Sequence, residues 1–181
     1  KIDFSDLKIT LGGGMAVQRS VADRWKQVTR NTLIEAYGLT ETFPAACINP
    51  MNLPCYNGSI GYPLPSTDIC IIDDKENECP LGEEGELCIK GPQVMKGYWN
   101  KPEETKNVFT KNGWLKTGDM AKIDKDGFIY LVGRKKDMIL VSGFNVYPNE
   151  IEDIAVRLDG VVEAAAIGVP HKTSGETIKL I

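Results

Sequence analysis

The stretch Leu7-Lys8-Ile9-Thr10-Leu11-Gly12-Gly13-Gly14 decides how the chain is read: a short run of strand character enters three glycines, and a helical pattern follows. In that pattern Val17, Val21, Trp25 and Val28 recur at the spacing of one helix face, and the stripe is read as facing the core. Strand, glycine loop and helix together form the opening unit of an α/β layer. A glycine run there lets a ligand approach the backbone, and the free N–H groups of a helix start favour an anion. The run is not G-x-G-x-x-G and no Lys-Ser/Thr follows it, so on its own it reads as a plain tight turn rather than a phosphate cradle.

Working outward, a second short strand, Leu33-Ile34-Glu35-Ala36, leads into Tyr37-Gly38-Leu39-Thr40-Glu41-Thr42. An aromatic ring, a glycine, a hydroxyl and a carboxylate thus fall within one loop at a strand end, and these are the parts needed to hold a nucleotide with its metal. Tyr37 can stack on a base, Gly38 permits close approach, Thr40 can donate to a phosphate oxygen, and Glu41 can supply the hard oxygen ligand that Mg²⁺ prefers. Any one of these residues is equally at home in a turn; the signal lies in the group. Leu7–Leu11 and Leu33–Ala36 have no evident sheet partners, so their apolar edges are expected to pair with another copy or to leave residues 1–50 disordered.

Downstream, from Gly58 to about Val132, short strands alternate with Gly, Pro and Asp punctuation: Ser66–Asp73, Gly85–Gly91 and a pair flanking Asp124-Lys125-Asp126-Gly127. The pattern predicts a small barrel or twisted sheet. The Asp124 segment lacks the spacer and terminal Glu of a calcium loop and reads as a hairpin turn. Trp114-Leu115-Lys116-Thr117-Gly118-Asp119 reads as a turn whose carboxylate could accept from the two hydroxyls of a ribose. Gly133-Arg134-Lys135-Lys136-Asp137 reads as a basic linker with a forked guanidinium suited to a planar polar site. Met138–Val141 then forms a strand, and Pro148 introduces a helix in which Ile151, Ile154, Ala155 and Leu158 make a second core stripe before Asp159-Gly160 stops it. Val161–Val169 and Ile178–Ile181 read as further strands, and the chain is expected to begin and end inside structure.

A length of 181 residues, 42% hydrophobic and 25% charged, suits a globular protein. A net charge of −4 argues against a nucleic-acid footprint, and Asp137 checks the short basic run Arg134-Lys135-Lys136. Five cysteines, an odd count without C-x-x-C spacing, read as reduced thiols of a cytoplasmic protein. The single histidine, His171, reads as a surface residue, and with no metal-spaced cysteines a zinc site is not expected. No apolar run is long enough to span a bilayer and Lys1-Ile2-Asp3-Phe4 is no secretory signal. Membrane association is left open only as peripheral contact, at the inner face of the cytoplasmic membrane.

Four motifs now stand in order: Gly12-Gly13-Gly14-Met15-Ala16-Val17, Tyr37–Thr42, Trp114–Asp119 and Gly133–Asp137. At this spacing they resemble the later core motifs of the adenylate-forming superfamily of acyl-CoA synthetases, luciferases and peptide-synthetase adenylation domains. Gly85–Trp99 and Val141–Glu152 further resemble the bacterial long-chain fatty acyl-CoA synthetases. The resemblance implies a ligase acting on a fatty acid, ATP and CoA with Mg²⁺, through an acyl-adenylate that the CoA thiol then attacks. Residue by residue it implies that Tyr37 stacks on adenine, Thr40 contacts phosphate and Glu41 ligates Mg²⁺, while Asp119 and Arg134 bind the ribose. It implies too that Gly12, Gly13 and Gly14 line the adenine and acyl pocket, that Lys136 is a hinge, and that Gly143 lies beside the pantetheine tunnel, where a side chain would obstruct.

The fold expected from residues and resemblance together is mixed α+β and α/β. Residues 1–133 would be the C-terminal part of a large ATP- and acyl-binding domain, with an α/β edge at 1–57 and a small distorted β-barrel at 58–133. Residues 134–181 would be the hinge and the beginning of a small mobile domain. No stretch resembles the Ser/Thr/Gly-rich triphosphate loop or the late lysine of the family, so the chain alone is not expected to form acyl-adenylate. Two other readings stay open: a non-catalytic adenine-nucleotide-binding module, and an adenylation domain taking another carboxylate.

Overall fold

Two neighbouring parallel strands aim the glycine loop and the Tyr37–Thr42 loop out of the same end of a sheet. In the computed structural model, which describes residues 2–181, β1 (Thr10–Gly12) pairs in parallel with β2 (Leu33–Tyr37), Gly12 opposite Glu35. Lys1, part of the N-terminal stretch weighed against a leader, lies outside the described residues. β2 continues antiparallel to β3 (Cys47–Ile48), which pairs with β4 (Tyr62–Pro63). The two strands expected to lack partners therefore pair with each other, and residues 2–50 join a four-stranded sheet in which only the outer edge of β1 stays open on that side.

The crossover between them is α1 (Arg19–Thr29), and its orientation corrects the reading of its apolar stripe. Ala22 and Thr29 are buried, whereas Val21 and Val28 are exposed. The helix is turned by specific contacts: the Trp25 indole N–H donates to Thr10 Oγ1 at 3.2 Å, and Phe4 meets the Trp25 ring edge-on at a centroid distance of 6.2 Å. These contacts bring the Ala22 and Thr29 side of the helix, not the Val21 and Val28 side, onto the sheet.

The second sheet is an antiparallel meander, β5 (Asp68–Ile72), β6 (Gly85–Lys90), β7 (Leu115–Ile123) and β8 (Ile129–Arg134), paired in sequence order. It is an open twisted sheet among the described residues, β5 and β8 not being paired with each other, and is compatible with the small distorted barrel anticipated for this stretch. Leu87, Ile89, Leu115, Ala121 and Ile129 are almost wholly buried in it, and Tyr37 from β2 and Ile60 join the same core. The β7–β8 connection is the expected hairpin turn, with Asp124 Oδ1 accepting from the Asp126 and Phe128 N–H groups at 2.9 Å each. A short helix, α2 (Pro102–Val108), was not anticipated: it has no apolar periodicity, and Pro102 at its start with Glu103 and Glu104 in its first turn supports it locally.

The presumed basic linker is structured. β8 runs through Gly133 and Arg134, and Lys135–Asp137 form a 3-10 turn. Beyond it, β9 (Ile139–Val141), β10 (Phe144–Val146), β11 (Ala166–His171) and β12 (Gly175–Leu180) form a sheet in the order β10-β9-β12-β11, with α3 (Pro148–Ala155) packed beside β11. α3 starts at Pro148 as expected but ends at Ala155, well before Asp159. Of its stripe only Ala155 is fully buried, while Ile154 and Leu158 are exposed, so this stripe too is not a core face here. β11 begins at Ala166 rather than Val161. All five cysteines are free thiols.

Candidate functional site

Asp119 is the point at which three separate stretches of the chain meet. Its buried carboxylate accepts from the Tyr37 hydroxyl at Oδ2, 2.6 Å, and from Arg134 Nε at Oδ1, 2.8 Å. The Arg134 contact follows from register, because Asp119 faces Arg134 across the β7–β8 ladder. It also depends on an irregularity in β7: Glu86 pairs with Met120 but Cys88 with Lys116, so Thr117, Gly118 and Asp119 stand opposite Leu87 alone. Thr117–Asp119 is therefore a bulge inside a long strand, not the turn expected from sequence, and bulges are a means of re-aiming a side chain. The bulge is secured by Thr117 Oγ1 donating to the Leu87 carbonyl at 2.8 Å and by the Gly118 N–H donating to Glu86 Oε1 at 3.1 Å.

Next to this cluster opens a cleft of about 550 Å³, lined among others by Gly38, Thr40, Glu41, Glu86, Tyr98, Gly118 and Arg134. Thr40 and Glu41 lie on a 3-10 turn directly after β2, closed by Thr42, whose buried hydroxyl donates to the Leu39 carbonyl at 3.0 Å. The Tyr98 hydroxyl donates to Glu41 Oε1 at 2.6 Å. That hydrogen bond, with smaller contributions from burial and from the carboxylate's charge, pushes the Tyr98 phenol up to about 12. Arg134, with half its side chain exposed (52%), has its terminal N–H groups without a hydrogen bond among the described residues and so available to a ligand.

The anticipated residues are placed unequally. Gly38, Thr40, Glu41 and Arg134 share the cleft, and Asp119 is bonded to Arg134 at its edge. Tyr37 does not line the cleft: it is only 9% exposed, its ring lies in the core, and its direct contribution is the hydrogen bond to Asp119. Burial first, then the Asp119 charge, pushes its phenol strongly upward, so it remains a donor. Gly12 ends β1 opposite Glu35 and Gly13 and Gly14 follow it, but none of the three lines the cleft. The reason for glycine at position 38 is the chain itself, since a Cβ there would lie 1.7 Å from the Pro44 carbonyl oxygen. Lys136 is exposed in the 3-10 turn and borders a second cleft of about 440 Å³ with Met138, Glu152 and Glu176. Gly143 lines neither cleft; it forms the β9–β10 hairpin turn with Ser142, at φ +87° and +51°, and a Cβ there would meet nothing.

Sequence reasoning missed Glu86, Tyr98 and Lys135. Glu86 is buried, and besides the Gly118 N–H it accepts from Lys135 Nζ at 3.1 Å. Lys135 also reaches Asp74 at 2.9 Å, and these carboxylate bonds, Asp74 foremost, hold its ammonium above the usual lysine range. Glu86 opens the apolar run Leu87-Cys88-Ile89 and directly follows Glu83, Glu84 and Gly85, so nothing in the sequence sets it apart.

Among the described residues no cluster of three or more acidic, histidine or cysteine groups could enclose a metal. Glu41 offers one carboxylate, with Oε1 engaged by Tyr98 and Oε2 free of hydrogen bonds among the described residues. That donor set fits Mg²⁺ as it is commonly held beside phosphates, through one or two carboxylates with the remaining positions filled by phosphate and water.

Known proteins resemble this chain along nearly its whole length. Residues 1–99 match the family model described as AMP-binding enzyme. Over 99% of its length the chain is 55% identical to a long-chain-fatty-acid–CoA ligase of Escherichia coli O6:H1, of which it covers 32%. Among solved structures, ATP-bound MatB from Rhodopseudomonas palustris superposes with a TM-score of 0.90 at 38% identity, covering 95% of this chain and 34% of that one. o-Succinylbenzoate CoA synthetase from Bacillus subtilis, in complex with its acyl-adenylate intermediate, gives a TM-score of 0.89 at 32% identity, covering 97% of this chain and 36% of that one. The chain thus spans about a third of the length of the relatives it matches.

Proposed function

The chain belongs to the AMP-binding enzyme family, and on that premise we propose that it provides the adenylate-holding part of a ligase that joins a long-chain fatty acid to CoA. In the first step a carboxylate oxygen of the fatty acid attacks the α-phosphorus of ATP, giving acyl-adenylate and pyrophosphate. In the second the CoA thiolate attacks the acyl carbon, giving the thioester and AMP. The observation that carries this reading is the Tyr37–Asp119–Arg134 cluster beside a cleft shared by Thr40 and Glu41.

Asp119 and Arg134 take the ribose. Each Asp119 oxygen accepts one protein hydrogen bond and retains a lone-pair site, so the carboxylate can still receive hydroxyl donors while Tyr37 and Arg134 hold it in place. Thr40 donates to a phosphate oxygen, and Glu41 holds Mg²⁺, which when bound supplies charge neutralisation at the phosphates. The base lies toward Tyr37 and the Gly12–Gly14 loop, at the carboxyl ends of β1 and β2, where ligands of open α/β sheets bind. Positioning and electrostatic clamping are the chain's contribution to transfer at phosphorus. Lys136 serves as the hinge to residues 138–181, Gly143 borders the path of the CoA arm, and the open β1 edge is where a second copy would pair.

Calorimetric titration of ATP and AMP into the chain tests the nucleotide reading. Binding is expected, and Asp119→Ala should weaken it by at least about tenfold, as the loss of one charge-assisted hydrogen bond implies. Absence of binding by the unsubstituted chain would overturn the reading. A non-catalytic binding module predicts the same titration; fatty-acid-dependent pyrophosphate exchange by the whole protein, in which Asp119→Ala is silent, separates the ligase from it.

A further inference from the structure

Glu41 is held at both ends by a segment to which no role has been given. The Met95 N–H donates to the Glu41 carbonyl at 2.8 Å, and three residues on the Tyr98 hydroxyl donates to Glu41 Oε1 at 2.6 Å. Tyr98 is itself anchored: its N–H donates to Thr105 Oγ1 at 2.9 Å, and the Thr105 hydroxyl donates to the Lys101 carbonyl at 2.8 Å, at the start of α2. The phenol lines the same cleft as Thr40 and Glu41. Apart from this bond the Glu41 carboxylate has no hydrogen-bond partner among the described residues, so the phenol is the polar group that fixes its orientation.

We propose that Tyr98 is a positioning residue for the metal end of the site, engaging Oε1 so that Oε2 of a pre-set Glu41 is the oxygen offered to a divalent cation carrying the nucleotide phosphates. The inference rests on the adenylate-forming reading and extends it from the residue that binds the cation to the residue that aims it. A free glutamate side chain must lose its rotamer freedom when a cation binds; the Tyr98 bond removes that freedom beforehand, and pre-organisation of this kind raises affinity without adding a contact to the ligand. The role of α2, the helix that sequence did not announce, follows from the same chain of bonds: it holds Thr105, which holds Tyr98.

The test is calorimetric titration of ATP into the chain with Mg²⁺ and again with EDTA, for the unsubstituted protein, Tyr98→Phe, Glu41→Gln and Thr105→Val. The expected result is tighter binding with Mg²⁺, a gain abolished by Glu41→Gln and reduced about tenfold by Tyr98→Phe, with the EDTA affinity and the melting temperature of Tyr98→Phe little changed. Thr105→Val, which keeps the phenol and loosens its anchor, should lose part of the same gain. Tyr98→Phe retaining the full gain while Glu41→Gln loses it overturns the positioning role and leaves the nucleotide reading standing. Equal loss of affinity in Mg²⁺ and in EDTA also overturns it, since that is the mark of general disruption. Binding of ATP without any Mg²⁺-dependent gain overturns both the metal role of Glu41 and the Tyr98 inference, whereas absence of binding in every condition overturns the nucleotide reading beneath them.

Discussion

The two four-stranded sheets β5–β8 and β10-β9-β12-β11 are built from strands of similar character, yet they treat their apolar side chains differently. The first buries Leu87, Ile89, Leu115, Ala121 and Ile129 almost completely and draws Tyr37 into the same core. The second buries Ile139 and Ala166 but leaves Leu140, Phe144, Ile167 and Leu180 exposed. The site residues divide along the same line: Asp119 and Arg134 sit on neighbouring strands of the first sheet, where packing and register fix them, whereas Gly143 occupies a hairpin turn of the second, set by backbone conformation alone. The better-buried sheet carries the charged cluster, and the other meets it at the seam where Tyr147 reaches β8. There Tyr147, 2% exposed, packs on Gly133 of β8, where a Cβ would lie 2.7 Å from Tyr147 Cδ1 and 3.0 Å from its Cβ.

Truncating a side chain in each sheet is the most direct way to break this comparison. Leu87→Ala should cost about 3 kcal/mol in denaturant unfolding, as expected for a fully buried leucine, while Ile167→Ala on the outer face of the second sheet should stay within about 0.5 kcal/mol. Equal losses would show that the second sheet has a core comparable to the first. The seam offers a smaller effect. Gly133→Ala should destabilise by about 1–3 kcal/mol through overpacking against Tyr147, read as a lowered melting temperature, and a neutral outcome would show that the two sheets are not wedged together there. Smallest of the three is Tyr147→Phe. The Tyr147 hydroxyl is buried without a partner among the described residues, so its removal should be neutral or stabilising by about 1 kcal/mol, and a loss of stability would mean that the hydroxyl is satisfied after all.

Much of the fold was legible because it rests on local rules. The opening strand, glycine loop and helix follow from periodicity and turn chemistry, although β1 is Thr10–Gly12 rather than Leu7–Leu11. So do the Asp124–Gly127 hairpin, the helix start at Pro148 and the strands expected at Ser66–Asp73 and Gly85–Gly91, which run Asp68–Ile72 and Gly85–Lys90. What misled was the inference from an apolar stripe to a buried face. Val21, Val28, Ile154 and Leu158 have the right spacing for a core, but which face of a helix meets a sheet depends on what packs against it, and Trp25 and Ala22 set that for α1. α2 went unseen for the opposite reason, since its support is a first-turn proline with two acidic residues and no stripe at all.

The candidate site was half legible. Gly38, Thr40 and Glu41 could be named because their chemistry is concentrated in one loop, and Arg134 because a guanidinium beside a glycine stands out in a basic run. Glu86 and Tyr98 could not, because nothing near them in sequence shows that Glu86 receives the Gly118 N–H or that Tyr98 reaches Glu41.

By itself, the amino-acid sequence determined the order of the motifs, the residue types able to meet a nucleotide, and the local turns and helix starts, because each depends on residues only a few positions apart. Tertiary structure alone decided that Asp119 is a buried acceptor held by Tyr37 and Arg134, and that Thr117–Asp119 is a bulge rather than a turn. Side chains alternate across a strand, so the side to which a residue points is set by the register of its neighbours and by every bulge between them. That information lies in the pairing of β6, β7 and β8, and no stretch of β7 carries it alone.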